Sequence, residues 1–467
     1  MFKRLFPELN QGVFSITEKI LLINPNYNYP FSKQKDLPIF NRVWPPLSVA
    51  NCAALLEKEG FHVEIIDANA EGLSPDQVVN RAHGFNKIFI TSSSIDRWQC
   101  PHLNINPFLE FVKKIREKRD KELYVMGAHG TVRPKEILKI TKADAVIIGE
   151  PELTILDICK GNKTEGICYE EDGKKILKER KTPLDLNTLP IPAFHLLPMK
   201  RYFYEVLGRN FTLLEGSRGC PFNCIFCLKK MYGKYRTKSS QNLIREIEFV
   251  INEFGVKNAY FMDLEFTTNK KLVNDVCDFL IQEKFDFNWT CQARLDSVDL
   301  KILQKMKRAG CKIIHFGVES GSSRILGKIN KKIDLKQIER GIKLTRITDI
   351  DTVCFFLFGF PSETINDMNK TIEFAKKLNS TYASFHVAAP YPGTQFFEMV
   401  KENLSELFPI AYTQSHSFST LKNMTKKAFF QFYFRPSFIL STILSKNIKL
   451  LPKELKLFLS YVMREKI

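Results

Sequence analysis

The sequence lacks an uninterrupted run of about 18 apolar residues, so it predicts no membrane-spanning helix. Its first nine residues carry charge but no apolar stretch of the kind found in a secretory signal. The 11 cysteines are odd in number and follow no paired spacing, which argues against a disulfide framework. Together these absences predict a cytoplasmic protein, because a reducing compartment keeps thiols free.

The sequence also lacks a Ser-His-Asp or paired-carboxylate pattern that would indicate ordinary nucleophilic or acid–base catalysis. Its charge is one-sided: 69 Lys and Arg stand against 51 Asp and Glu, a formal net charge of +18. Such an excess of positive charge is typical of proteins that bind nucleic acids or anionic membranes. The basic residues are spread along the chain, however, without a basic motif or an aromatic–basic repeat, and nucleic-acid binding is not expected.

Three cysteines stand close together in the stretch Cys220-Pro221-Phe222-Asn223-Cys224-Ile225-Phe226-Cys227, with the spacing C-x3-C-x2-C. Three thiolates on one loop can bind three irons of a [4Fe–4S] cluster and leave the fourth iron open. Zinc is the alternative, but it usually takes a fourth Cys or His at matching spacing. The nearest candidates, Cys277 and Cys291, form no second pair. Cys220, Cys224 and Cys227 are therefore the candidate catalytic and metal-binding residues.

This loop resembles the signature of the radical SAM superfamily, C-x3-C-x-aromatic-C, with Phe226 as the aromatic residue. The resemblance implies that the open iron binds the amino and carboxylate groups of S-adenosylmethionine (SAM). One-electron reduction then yields a 5′-deoxyadenosyl radical, which abstracts a hydrogen from the substrate. The cofactor carries this chemistry and the protein orients it. An external one-electron reductant such as flavodoxin or ferredoxin is implied as a partner.

Residues 208–395 alternate strands and helices in about six βα units, which predicts a partial (β/α)6 barrel with its chemistry at the carboxyl ends of the strands. Five turns at those ends resemble the SAM-binding turns of the superfamily. In one of them Leu264 replaces an expected carboxylate, and in another Arg294 could fork onto the SAM carboxylate or ribose. The candidate SAM-binding residues are Phe226, Asp263, Glu265, Arg294, Glu319 and Gly359.

Residues 1–160 also alternate apolar strands with helices, which predicts a doubly wound, Rossmann-like sheet that binds ligands beyond the carboxyl ends of its strands. This part resembles the cobalamin-binding domain that precedes many radical SAM cores. The matching stretches are Pro45-Pro46-Leu47, Gly127-Ala128-His129-Gly130-Thr131 and Gly149-Glu150-Pro151-Glu152. The candidate cobalamin-binding residues are Asn24, Pro25, Leu47, Ser92, Ser93, Gly127, Ala128, His129, Thr131, Gly149 and Glu150.

Two departures from that family concern His129. The chain has Met126-Gly127-Ala128 where the family commonly has Gly-Gly-Pro, and it has no D-x-H-x-x-G motif to supply a cobalt ligand. We therefore do not expect His129 to bind cobalt. It is expected to donate a hydrogen bond near the corrin or to cap the following helix, and a structural histidine is the alternative.

The remaining segments are a connector and a tail. Residues 161–207 are predicted to be a linker, with a hairpin signal at Asp172-Gly173. Residues 396–467 are basic and rich in aromatics, and a helix is expected from Pro452 to about Met463. This helical region either packs its aromatic residues against the barrel or makes peripheral membrane contact.

Taken together, the resemblance implies a cobalamin-dependent enzyme that methylates an unactivated carbon of a small molecule, with lipid-like substrates among the candidates. Ring closure or rearrangement without net methylation is the first alternative, because a shared fold does not fix the reaction. A tRNA methylthiotransferase is the second. It would need three further cluster cysteines in the N-terminal domain, and Cys52, Cys100, Cys159 and Cys168 lack that spacing.

Overall fold

Strands of the N-terminal half are short apolar runs buried on both faces, as in β1 (Lys19–Asn24) and β3 (Lys87–Thr91). Such burial is typical of a parallel sheet that is covered by helices on both sides. The computed structural model describes residues 19–27, 43–94, 101–118, 121–162, 164–229, 231–436 and 438. Within these residues the chain forms two large sheets with helices around them, which confirms the predicted α/β class.

Seven strands make the N-terminal sheet. They are β1, β2 (His62–Asp67), β3, β4 (Glu122–Met126), β5 (Ala145–Ile147), β6 (Ile167–Glu171) and β7 (Lys174–Lys178). The helices are α1 (Leu47–Lys58), α2 (Ala68–Glu71), α3 (Pro75–Arg81), α4 (Asn106–Arg116), α5 (Ala128–Val132), α6 (Pro134–Thr141) and α7 (Pro151–Cys159). The strand order is β2-β1-β3-β4-β5-β6-β7, with β1 to β5 parallel. Because the order reverses between β1 and β3, the ligand cleft is expected at the carboxyl ends of these strands.

The segment predicted as a linker is partly sheet, which corrects that prediction. Strands β6 and β7 continue the N-terminal sheet in antiparallel register beside β5. The two-residue turn between them is Asp172-Gly173, and both residues have positive φ, as the tight turns of hairpins require. Strand β5 would otherwise be the edge of the sheet, and β6 of the hairpin pairs with it. The segment around Asp172-Gly173 therefore adds two strands to the sheet. Short 3-10 turns at Phe194–Leu196 and Met199–Arg201 follow.

Six parallel strands make the second sheet, in chain order, which confirms the predicted partial barrel. They are β10 (Phe211–Leu214), β13 (Asn258–Phe261), β14 (Asn288–Ala293), β15 (Cys311–Glu319), β16 (Asp351–Phe358) and β17 (Tyr382–Val387). The helices are α8 (Ser240–Phe254), α9 (Lys270–Glu283), α10 (Leu300–Arg308), α11 (Ser323–Lys328), α12 (Leu335–Ile347), α13 (Ile365–Leu378), α14 (Gln395–Val400) and α15 (Phe418–Tyr433). Two short pairs complete the strands: β8 (Phe203–Tyr204) with β9 (Gly208–Arg209), and β11 (Ser217–Arg218) with β12 (Arg236–Thr237).

Strands β11 and β12 enclose the three cysteines in a hairpin of residues 217–237, here called the cysteine hairpin. The two sheets share one hydrophobic core, in which Trp44 of the N-terminal half packs against Tyr204 and Tyr260. The ring centroids of Trp44 and Tyr260 are 5.2 Å apart. The N-terminal domain and the barrel are therefore joined by apolar packing at the carboxyl end of β13.

The C-terminal helix α15 packs on the last barrel strand. Its Phe432 is fully buried against Phe385 of β17. The hydroxyl of Tyr433 donates to the carbonyl of Ala383 over 2.8 Å and accepts from the amide of the same residue over 3.0 Å. Phe429 and Phe432 of this helix thus belong to the core, whereas Phe430 is exposed. The helix expected from Pro452 lies outside the described residues. A search of the described helices finds none with the length and apolar character needed to span a membrane.

Candidate active site

The cysteine loop is fixed by backbone contacts on both sides. The amide of Ile225 donates to the carbonyl of Ile329 over 3.1 Å, and the carbonyl of Ile225 accepts from the amide of Phe396 over 2.9 Å. Before the first cysteine, Gly219 has a φ of +78°, and a Cβ there would lie 2.8 Å from the carbonyl oxygen of Lys234. Only glycine therefore allows the chain to turn into the loop at this point.

The loop presents three free thiols. Among the cysteines that the structure describes, Cys220, Cys224 and Cys227 are partly exposed and all the others are buried. In the described part of the chain, no group of three or more His, Cys, Asp or Glu side chains surrounds one metal-ion position. The fit to a cluster therefore rests on the loop itself, in which one fixed turn offers three accessible thiol ligands. Three such thiols can bind three irons of a [4Fe–4S] cluster, and their role as its ligands stays a prediction.

Asp263, at the end of β13, is tied to the start of the cysteine hairpin. Its carboxylate accepts from the amide of Gly216 over 3.0 Å and from the hydroxyl of Ser217 over 2.5 Å. The side chain is buried, and this burial raises the pKa of Asp263 to about 7. Both carboxylate oxygens are engaged within the protein, so the observed role of this candidate is to hold the hairpin against the barrel.

Glu265 lies two residues further along the same strand end. Its Oε1 accepts from the hydroxyls of Thr267 and Ser297, over 2.6 and 2.9 Å. Burial raises the pKa of Glu265 to about 7, and these hydrogen bonds, with Arg294, oppose that rise. The two hydroxyls orient the carboxylate and commit only one of its oxygens.

The guanidinium group of Arg294 binds a carboxylate of the protein itself. Its Nε and Nη2 donate to the two carboxylate oxygens of Asp296, over 2.9 and 2.8 Å. The guanidinium carbon also lies 3.8 Å from the ring centroid of Phe222, inside the cysteine loop. In the structure the two guanidinium donors of Arg294 thus bind Asp296, and the flat face of the group lies on the cysteine loop. The sequence predicts instead that these donors bind SAM.

Glu319 ends β15 and pairs with a lysine that the sequence analysis did not identify. The Nζ of Lys331 donates to Oε1 of Glu319 over 2.8 Å, and both side chains are buried. The same Nζ is 6.0 Å from the ring centroid of Phe226. The predicted residues Glu319 and Phe226 are thus brought together by Lys331, whose partner lies 12 positions away and which has no local sequence signal.

The turn at Gly359 is shaped by two neighbours. The amides of Gly359 and Phe360 donate to Oε2 of Glu363, over 2.6 and 3.1 Å. Gly359 has a φ of +101°, and a Cβ there would lie 2.9 Å from a methyl carbon of Leu421 in α15. The ring of Phe360 is 5.7 Å from that of Phe226. This turn therefore contacts both the cysteine loop and the C-terminal helix.

A narrow cavity lies at the carboxyl edge of the N-terminal sheet and contains three of the predicted cobalamin-binding residues: Gly127, Gly149 and Glu150. The rest of its lining is Ser48, Thr91, Met126, Pro151 and Met231. Gly127 has a φ of +103°, and a Cβ there would lie 2.9 Å from the hydroxyl oxygen of Ser92. A side chain at Gly127 would fill this cradle, so the glycine keeps a backbone surface open to a ligand. The two glycine loops are of the kind that a cofactor approaches closely, whereas the cavity itself, about 10 Å³, holds no more than a water molecule, so a larger ligand would bind across this edge rather than inside it.

Seven other candidates support this edge of the sheet. The hydroxyl of Thr131 donates to the carbonyl of Gly127 over 2.9 Å and accepts from the amide of Gly149 over 3.0 Å, which joins the two glycine loops. Ala128 packs against Met231 of the cysteine hairpin. Asn24 is fully buried and donates to Asp67 over 2.7 Å, and its Oδ1 has no partner among the described residues. Pro25, Leu47, Ser92 and Ser93 are buried.

His129 is fully buried, and both of its ring nitrogens have partners in the protein. Nδ1 lies 3.0 Å from the hydroxyl of Ser92, and Nε2 lies 2.5 Å from the carbonyl oxygen of His102. Burial lowers the pKa of His129 to about 4, so the ring is neutral at pH 7. Its side chain does not cap the following helix, α6, whose start after Arg133 has no side-chain cap. The contacts are those of a structural histidine.

Buried charges join the two domains next to the cysteine loop. Arg218, whose side chain is 0% exposed, donates through Nε to Glu215 over 2.9 Å, through Nη1 to Glu150 over 2.9 Å and through Nη2 to Glu152 over 2.7 Å. Arg236 donates to the same oxygen of Glu150 over 2.9 Å. The predicted cobalamin contact Glu150 is thus bound by two arginines of the cysteine hairpin. We refer to these five side chains as the interdomain ion cluster.

A second, open groove lies on the outer layer of helices. It is lined by Glu339, Ile342, Lys343, Arg346, Ile347, Lys377 and Leu378. These residues end α12 and α13 and precede β16 and β17, so the groove is at the amino ends of the strands. The chemistry of barrels of this kind lies at the opposite, carboxyl ends, and the groove is separate from the candidate site.

Two family models match the chain. The model described as the radical SAM superfamily matches residues 214–375, and the model described as the B12 binding domain matches residues 40–158. These matches confirm the two resemblances that the sequence suggested. They also place the cysteine hairpin inside the first match and the cleft residues Gly127 and Gly149 inside the second.

Whole-length relatives have the same two parts in one chain. An uncharacterized methyltransferase of Pyrococcus horikoshii is 32% identical over 454 residues, covering 91% of this chain and 94% of the relative. An anaerobic magnesium-protoporphyrin IX monomethyl ester cyclase of Rubrivivax gelatinosus is 26% identical over 401 residues, covering 81% and 69%. Among solved structures, the radical S-adenosylmethionine methyltransferase TsrM from Kitasatospora setae has a TM-score of 0.66 at 16% identity, covering 90% and 84%, which shows the shared fold.

Proposed function

Because the chain belongs to the cobalamin-binding radical SAM enzymes, we propose that it methylates an unactivated carbon of a small molecule. Its cofactors are a [4Fe–4S] cluster, SAM and cobalamin. The observation that carries the proposal is that the candidate cobalamin-binding edge and the cysteine hairpin lie against each other. Met231 of the cysteine hairpin lines the same cavity as Gly127 and Gly149 of the N-terminal domain. A methyl donor bound across that edge of the sheet would face the segment that carries the cluster ligands.

When bound, these cofactors supply a 5′-deoxyadenosyl radical that removes a hydrogen atom from the substrate, and a methyl group that replaces it. The protein would hold the cluster through Cys220, Cys224 and Cys227. Glu265, oriented by two hydroxyls and with one oxygen uncommitted, is suited to accept hydrogen bonds from the SAM ammonium group. The Gly359 turn, whose Phe360 ring lies 5.7 Å from the ring of Phe226 in the cysteine loop, is the proposed contact for the adenine ring.

The partners follow from the same chemistry. The substrate is a small molecule, and each turnover needs electrons from an external reductant such as flavodoxin or ferredoxin. The net charge of +18 favours an acidic electron carrier, because opposite charges steer encounter. Peripheral membrane contact of the C-terminal region stays a prediction: α15 buries Phe429 and Phe432 but exposes Phe430, and the chain after Phe438 lies outside the described residues.

The test is anaerobic reconstitution with iron, sulfide, cobalamin and SAM carrying a deuterated methyl group, followed by incubation with extracts and mass analysis. Methylation transfers the labelled methyl group to a product and yields 5′-deoxyadenosine and S-adenosylhomocysteine in equal amounts. Cys224→Ala is expected to lose the cluster absorbance and both SAM-derived products. Cys277→Ala, a buried cysteine away from the loop, is the matched control and keeps them.

Ring closure is the second candidate, because the Rubrivivax relative is named as a cyclase. It predicts 5′-deoxyadenosine without S-adenosylhomocysteine, and a product that has lost hydrogens and carries no label. Finding that pattern would overturn the methylation proposal and leave the radical chemistry in place.

A further inference from the structure

The interdomain ion cluster fixes the base of the cysteine hairpin. Arg218 and Arg236 are opposite one another in the register of β11 and β12, and both donate to Oε1 of Glu150. One carboxylate oxygen of the N-terminal domain thus holds both strands of the hairpin. The guanidinium is planar and its donors point in fixed directions, so such contacts fix orientation as well as distance.

Glu150 also lies at the narrow cavity on the carboxyl edge of the N-terminal sheet, here called the cobalamin cavity. It lines that cavity beside Gly149, immediately before α7 begins at Pro151. Glu152, in the first turn of α7, binds Arg218 from the same helix end. Any ligand that orders the Gly149-Glu150 loop therefore acts directly on the two arginines at the base of the hairpin, with no intervening residue.

The cluster is sheltered from water, which makes this contact stiff. The side chains of Arg218 and Glu152 are 0% exposed, that of Glu215 is 3% exposed and that of Glu150 is 13% exposed. Charged hydrogen bonds are stronger in such surroundings than at the surface, because solvent does not screen them. The hairpin and the cavity loop are thus expected to move as one body.

We propose that Glu150 is a positioning residue that couples occupancy of the cobalamin cavity to the geometry of the cysteine hairpin. It does so through Arg218 and Arg236, two residues before Cys220 and nine after Cys227 in the chain. When cobalamin binds at this edge, the cysteine hairpin becomes ordered. The ordered hairpin would then keep the cluster and SAM at a fixed distance from the methyl donor. The catalytic consequence of this inference rests on the proposed methylation, whereas the structural consequence does not.

The experiment compares Glu150→Gln with wild type in two measurements. Hydrogen exchange of peptides from residues 217–237 is followed with and without cobalamin. In wild type, cobalamin slows exchange in these peptides, and in Glu150→Gln this protection is lost. The second measurement is the ratio of methylated product to 5′-deoxyadenosine. It falls about tenfold or more in the variant, since a misplacement of about 1 Å costs on the order of a hundredfold in rate.

Glu57→Gln is the matched control. Glu57 also joins the N-terminal domain to the following segment, through His195 at 3.0 Å, but touches neither the cavity nor the hairpin. It is expected to keep both the protection and the product ratio. Equal behaviour of Glu150→Gln and Glu57→Gln in the exchange measurement overturns the proposal.

Two further outcomes are informative. If Glu150→Gln fails to hold cobalamin, Arg236→Lys takes its place, because it weakens the same contact from the hairpin side and removes no cavity-lining side chain. Arg236→Lys must then lose the cobalamin-dependent protection, and retention overturns the proposal. If wild type shows protection but forms no methylated product, the proposed function fails and the coupling through Glu150 stands.

Discussion

The Nζ of Lys331 donates to Oε1 of Glu319 over 2.8 Å, and neither side chain is more than 9% exposed. The pair lies against Gly317, where a Cβ would be 2.3 Å from that same Oε1. The two charges therefore depend on each other, because water does not reach either of them and no bulkier residue fits beside them.

Lys331→Met leaves the Glu319 carboxylate buried without its cation. We expect the free energy of unfolding to fall by about 3–5 kcal/mol, as is usual when one member of a buried pair is removed. Adding Glu319→Gln removes the uncompensated charge and restores part of the loss. Anaerobic denaturant unfolding of both single variants and the double variant measures this coupling.

The control is Lys257→Met, which breaks an exposed pair with Asp286. Exposed pairs contribute little, so its unfolding midpoint should match wild type. A loss in Lys331→Met no larger than in Lys257→Met contradicts the prediction.

Gly359→Ala tests the contact between the glycine turn and α15. The positive φ of Gly359 alone costs about 1–2 kcal/mol with alanine, and the new Cβ also meets Leu421. The matched variant is Gly84→Ala, whose φ is +86° and whose Cβ would meet nothing within 4 Å. Gly359→Ala should lose more stability than Gly84→Ala in thermal unfolding. This extra loss should disappear when Leu421→Ala, which is itself destabilising because Leu421 is fully buried, is present in both proteins and in their reference. Equal losses at the two glycines would mean that Leu421 exerts no pressure on the turn.

His129→Gln tests whether this histidine touches cobalt. Its ring nitrogens are taken by Ser92 and His102, so the visible absorption spectrum of bound cobalamin should not change. Stability should fall by about 1–3 kcal/mol, because the variant leaves a buried partner unsatisfied. Wild type and variant are compared by spectroscopy after loading with cobalamin. A spectral change typical of losing a nitrogen ligand contradicts the structure.

Asp67 predicts a pH dependence of stability. Burial raises its pKa from 3.8 to about 6, although Tyr202, Ala70 and Asn24 donate hydrogen bonds to it. The folded protein therefore binds more protons than the unfolded chain between these two values, and stability falls as pH rises through this window. Asp67→Asn should reduce the loss between pH 5 and pH 7 by about 1 kcal/mol, measured by denaturant unfolding at both values. An unchanged pH profile in the variant would place the titration elsewhere.

Elements with local signals were predicted closely from the sequence. Helix α13, for example, runs from Ile365 to Leu378 because Thr364 caps its first turn and Asn379 ends it in the left-handed region, and both of these signals are local. The cysteine loop and the strand-end turns were predictable for the same reason, since each is specified by neighbouring residues.

Partners from distant parts of the chain were not predictable in this way. Lys331 and Arg218 shape the candidate site through side-chain contacts that only the folded chain creates. Arg294 is different, because its partner Asp296 is two residues away. An arginine followed at that spacing by a carboxylate was a local signal that its fork is occupied, and it was available in the sequence.

The hydroxyl of Tyr433 occupies both backbone groups of Ala383 in β17, the last strand of an unclosed barrel. An exposed edge strand can pair with strands of other molecules, and proteins commonly cover such edges. A chain cut before α15 would expose this edge along with the phenyl ring of Phe385, and would be prone to self-assembly. Covering this edge of the barrel is thus a structural role of the aromatic C-terminal helix.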